Sequence, residues 1–146
     1  MAKSVTKVDD VKDLIRSAKA NPTATIFSKI KKLARSSDWK VREVAATTLV
    51  AISTRHPEIV IATMKKWSAD SNENIRRASS ESLRGVARVR PHDIARDASK
   101  GDPELTFALA TRWITKKNPD TLWIVKNGIK KLPIKTRRAI LALLEK

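Results

Sequence analysis

Cysteine is absent from the 146 residues, so neither a disulfide framework nor a thiolate metal site is available. Glycine is limited to three residues, and no Gly-rich phosphate loop, G-x-S-x-G elbow or H-E-x-x-H helix occurs. The two histidines, His56 and His92, each adjoin a proline at a helix start, where a capping or surface role suits them better than metal ligation. No metal and no cofactor are therefore expected. No apolar run approaches the ~20 residues of a membrane span. The opening MAKSVTKVDD lacks the apolar core of a signal peptide, so a cytoplasmic protein is expected.

Acidic residues are also scarce. Asp plus Glu number 15 against 31 Lys plus Arg, a net charge of +16. The excess is spread along the chain, at +6 over residues 1–50, +4 over 51–100 and +6 over 101–146. It is therefore part of the domain and not a basic tail. Self-repulsion on this scale opposes a compact state, and a polyanion would relieve it. Nucleic acid is the partner such a footprint predicts. Thermophile-style surface charge, the bland alternative, raises both signs together.

What is present in quantity is helix punctuation. Thr6 is placed to cap a first helix with Asp9 as its box partner, and Leu14, Ile15 and Ala18 continue an apolar stripe begun at Val8 and Val11. Asn21-Pro22 ends that helix and puts Pro22 at the first position of a second, with Ile26, Phe27, Ile30, Leu33 and Ala34 inward. Asp38 caps a third helix with Val41, Val44, Ala45, Leu49 and Ile52 inward. His56-Pro57 starts a fourth, whose Ile59, Val60, Met64 and Trp67 are expected inside. Asn72 caps a fifth, lined by Ile75, Ala78, Ser79, Ser82, Leu83 and Val86, with Gly85 expected to loosen its end. Pro91, Pro103, Asn118-Pro119 and Pro133 open four more. The expectation is an all-α single domain, 1–146, of about nine helices.

The chain also resembles itself. Val41-Arg42 and Ile75-Arg76 lie 34 residues apart (75 − 41). HPEIVIATMKKW (56–67) matches DPELTFALATRW (102–113) without a gap, 46 residues on (102 − 56). Helical self-similarity at such periods predicts a HEAT-like helical-repeat solenoid.

The basic positions are the candidate site. Equivalence in the repeat places Arg42 and Arg76 side by side. Arg77, Arg84 and Arg88 extend the track along one helix, with Lys40 near the start of its neighbour. Guanidinium groups in a row suit phosphates. The alternative is a solvated face paired with Glu43, Glu73 and Glu81, but three carboxylates leave cations in surplus. Glu43 and Glu81 have two readings: salt-bridge partners, or carboxylates that steady an oxocarbenium cation or orient water. Trp67 and Trp113 share a repeat position and are read as packing between repeats. Trp39 and Trp123 sit near helix starts, where a ring is placed either to pack or to stack on a base or sugar.

DWKVREVAA (38–46), HPEIV…KKW (56–67) and SADSNENIRRASSESLR (68–84) resemble the AlkC/AlkD superfamily of DNA alkylation-repair glycosylases, which are built from HEAT-like repeats. The W-x-V-R-E and R-R-x-x-S-E signatures are closer to the AlkC branch. The likeness is good over about 37–90 and weaker to 132. It implies a C-shaped solenoid whose basic concave face holds duplex DNA, and excision of cationic N3- or N7-alkylated purines. Aligned from His56-Pro57-Glu58, the acid of the AlkD branch falls on Arg42, with Glu43 beside it. An arginine used near the lesion falls on Arg77 and is kept, while a later pocket aromatic falls on Lys130. The resemblance thus implies a retained scaffold and DNA face without the AlkD catalytic set.

Three functions follow as expectations. The first is duplex-DNA binding through Lys40, Arg42, Arg76, Arg77, Arg84 and Arg88, nucleoid-associated in that case. The second is an alkylpurine DNA glycosylase using Glu43 and Glu81 with Trp39 at the base or sugar. The third is a protein-interaction scaffold.

Overall fold

In the computed structural model, residues 8–145 are described; the expected Thr6 cap and the side chains of 8–11 and Thr115 lie outside the described residues. Nine α-helices occur among them: α1 (Val8–Ala20), α2 (Ala24–Ala34), α3 (Trp39–Ser53), α4 (Pro57–Trp67), α5 (Glu73–Val89), α6 (Pro91–Ala98), α7 (Pro103–Lys116), α8 (Pro119–Gly128) and α9 (Ile134–Leu144). A 3-10 turn, Ile129–Lys131, follows α8. No strand occurs among the described residues, and the chain is all-α. It forms two compact units, one ending at Gly85 and the other beginning at Val86, so the division falls inside α5.

The first unit is two helical hairpins, α2–α3 and α4–α5, preceded by α1. Each turn is built by the same bonds, 34 residues apart. The Ser36 hydroxyl accepts from the Asp38 N–H at 3.1 Å, and the Asp70 carboxylate accepts from the Asn72 N–H at 2.8 Å. Asp38 then caps the Lys40 N–H and Asn72 caps the Asn74 N–H, both at 2.9 Å. These side chains satisfy backbone donors that a helix start leaves without partners. Asn72 also takes the Ile75 N–H.

The period extends to the next helix start. His56 before Pro57 has φ −131°, ψ 60°, and Arg90 before Pro91 has φ −130°, ψ 58°; neither side chain caps its helix. Asp102, the partner of His56 in the 46-residue echo, instead has φ −81°, ψ 114° and caps Glu104 and Leu105. Both starts set a proline in the first turn followed by an acid, but of the two first residues only Asp102 caps its helix.

Burial follows the expected faces with one correction in α4, and two helix boundaries differ. All six residues expected inside α5 are buried. In α4 the interior takes Ile61, and Ile59 is 45% exposed. The second helix starts at Ala24, not Pro22, because the Thr23 hydroxyl accepts the Ile26 N–H at 3.3 Å and supplies the cap. Gly85 does not loosen α5, which continues to Val89. A β-carbon there would collide with Cγ2 of Val50 on α3, so the glycine permits close approach of the two helices.

In the second unit α7 is central. Its Leu105, Ala108 and Leu109 are buried, and α6, α8 and α9 pack around it. Gly128 on α8 lies against Thr106 of α7, where a β-carbon would not fit. Asn118 caps α8 through the Asp120 and Thr121 N–H groups. Trp67 is buried and Trp113 is half-buried, in keeping with packing roles.

Candidate nucleic-acid interface

The two turns of the first unit are tied to each other. The Asn74 side-chain amide donates to the Arg35 carbonyl at 3.1 Å, and the Lys31 ammonium pairs with Asp70 at 3.1 Å. The α2–α3 and α4–α5 turns therefore lie together, and α3 and α5 set out from the same edge of this unit. Asp70 is the joint: it accepts from Asn72 within its own turn and pairs with Lys31 of the other hairpin. The Asn72 N–H first, and the Lys31 ammonium second, hold its carboxyl below the ordinary aspartate range.

Arg42 and Arg76 occupy equivalent places, as expected, but each guanidinium turns back on its own turn. Arg42 Nη1 donates to the Ser36 carbonyl at 2.9 Å, and Arg76 Nη1 donates to the Asp70 carbonyl at 2.7 Å. Each bond spans six residues and ends on a carbonyl of the turn that precedes the helix. Both arginines thus staple turns, and the repeat of Val-Arg and Ile-Arg in the sequence has this structural cause.

The outward face of α5 is a different set. Ile75, Ala78, Ser82 and Leu83 point inward, so helical spacing puts Arg77, Glu81 and Arg84 on the opposite side. Arg76 lies on the flank of that face. Arg77 is exposed and pairs with Glu73 at 2.9 Å across one turn. Arg84 is half-buried, and Arg88, also exposed, falls in the second unit. On α3, Lys40 is exposed, with its ammonium 6.0 Å from the centre of the Trp39 ring, which is itself 61% exposed. Glu43 and Glu81 are both exposed, and neither has an ion-pair partner among the described residues.

Among the described residues, no group of three His, Cys, Asp or Glu side chains is placed to hold a metal. No helix there is long and apolar enough to cross a membrane. His56 turns its Nε2 to the Lys19 carbonyl at 2.9 Å, joining the end of α1 to the start of α4, while His92 is exposed. Sequence reasoning missed Asn74, Lys31 and Asp70. Their ties cross 39 residues, and no local pattern announces them. Comparison with protein-family models, curated proteins and solved structures finds no match to this chain.

Proposed function

We propose that this all-α chain is a HEAT-like repeat protein that binds duplex DNA through the basic edge of its first unit. The observation that carries the proposal is the pair of joined turns, from which α3 and α5 carry Lys40, Arg77 and Arg84 outward on a chain of net charge +16. Arg42 and Arg76 serve that edge chiefly by holding the turns in place. The likeness of 38–84 to alkylation-repair proteins points the same way. Phosphate contacts release counterions, so affinity for a blunt mixed-sequence duplex, read by fluorescence anisotropy, falls steeply as salt rises. Arg77→Ala and Arg84→Ala each lower affinity and flatten the log–log salt slope by about one unit. An affinity independent of salt refutes the proposal.

Excision of alkylated purines is the second reading, favoured by Glu43 and Glu81 as unpaired carboxylates on this basic unit. Both stand in water, where the effective dielectric is high and a carboxylate steadies a cation weakly. Binding without excision is therefore the preferred reading. Release of methylated bases from alkylated duplex above a heat-only control, lost in Glu43→Gln or Glu81→Gln, reverses that order. A protein scaffold is the third reading, served by exposed Ile114, Leu141 and Leu143 in the second unit. Captured partners that all disappear on nuclease treatment count against it.

A further inference from the structure

The second unit carries a cleft of about 170 Å³ between the end of α6 and the side of α8. Its walls combine three kinds of recognition. Trp123 is 67% exposed at the mouth, so the ring is held by its helix while much of its surface meets solvent. Lys131 and Lys100 bring two ammonium groups. Asn127, one turn beyond Trp123, donates its amide N–H to the Trp123 carbonyl at 2.7 Å, which leaves its side-chain oxygen as an acceptor.

Gly101 shapes one wall of the cleft. Its φ of +86° turns the chain sharply after α6. A β-carbon at that residue would collide with the Lys131 ammonium and lie 3.0 Å from Cε and 3.1 Å from Cδ. The Lys131 ammonium thus lies against the Gly101 backbone on the cleft wall. Lys100 is held only loosely, 3.8 Å from Asp97, and is available to an anion. The volume suits one planar ring system, with the cations at its rim.

We infer that this cleft binds an unstacked nucleotide, its base on Trp123 with the Asn127 oxygen facing the base edge, and its phosphate on Lys131 and Lys100. The site stands apart from the duplex reading, because its residues belong to the other unit and its ligand is unpaired. Base stacking on an aromatic ring is tolerant of sequence, so a single strand and a free mononucleotide share the chemistry.

The test uses the full chain with two probes, a short labelled oligothymidylate and thymidine monophosphate. Both are expected to quench tryptophan emission. Trp123→Leu abolishes the quench and weakens oligothymidylate binding about tenfold or more, while Trp123→Phe restores most of the affinity. Lys131→Ala weakens binding and flattens the salt slope by about 0.7, the single-strand value per phosphate. Trp123 and Lys131 are both exposed, so these variants keep the fold, checked by circular dichroism. Monophosphate binding comparable to the oligomer assigns a free nucleotide, and binding of the oligomer alone assigns a strand. Full quenching that survives Trp123→Leu, or no binding of either probe, overturns the inference.

Discussion

Replacing Arg42 and Arg76 by methionine separates their structural from their binding role. Methionine keeps an unbranched apolar stem and removes the guanidinium. A hydrogen bond to a charged group contributes about 1.5–3 kcal/mol when shielded, and losing its donor strands the acceptor. The Arg42 bond to the Ser36 carbonyl is partly buried at 2.9 Å, so Arg42→Met is expected to cost about 2 kcal/mol. The Arg76 bond is shorter, 2.7 Å, but exposed, and water replaces much of it, giving about 1 kcal/mol. Arg77→Met, which breaks only the exposed pair with Glu73, should fall within about 0.5 kcal/mol of the parent. Urea unfolding followed by helical circular dichroism gives the three midpoints, with the slope m compared to confirm that one transition is being read. Salt-dependent duplex binding by the same proteins should rank the other way, with Arg77→Met the most impaired. The staple reading fails if Arg76→Met unfolds as late as Arg77→Met, or if Arg42→Met is the mildest of the three.

Other perturbations test the packing and the caps. Gly85→Ala gains helix propensity of about 1 kcal/mol but drives a β-carbon into Val50 on a stiff side chain, so a net loss of about 1 kcal/mol is expected. Val50→Ala combined with it should recover more than the single changes predict, measured as a double-mutant cycle. Asp70 is held ionised in the folded state, so its contribution is present above the ordinary aspartate pKa and is lost as pH falls through its lowered value. Acid unfolding below about pH 4 should therefore be shallower in Asp70→Asn than in the parent. Asp102→Ala removes the cap of α7 and should lower stability by about 1 kcal/mol; an unchanged midpoint would remove the cap from the account.

Helix starts were legible because their chemistry is local. Asp38, Asn72 and Asn118 sit within three residues of the N–H groups they accept, so residue type alone points to the role. The inner face of α5 was legible because its small and apolar residues alternate with charge at helical spacing. The run Ile59-Val60-Ile61 was not, since three adjacent apolar residues fit more than one phase and the neighbouring helices decide. Asn21-Pro22 pointed to a start at Pro22, but the Thr23 hydroxyl supplies the cap and α2 begins at Ala24. For the candidate site, repeat equivalence placed Arg42 and Arg76 correctly along the chain but could not say where their long side chains end. A guanidinium reaches equally well to solvent or to a carbonyl six residues back, and only the shape of the turn chooses.

That turn has an evolutionary consequence. Each copy carries its own cap, its own back-reaching arginine and its own side-chain acceptor, so most of its bonds close within it. A stretch of gene encoding one hairpin could be duplicated or deleted without orphaning these bonds, leaving the ties between hairpins, such as Asn74–Arg35 and Lys31–Asp70, to be re-formed at the new seam. Such a chain can lengthen or shorten by whole hairpins, each closing its own turn. Under the proposed duplex binding, reach along the DNA would then follow copy number, which selection can adjust in a single genetic event.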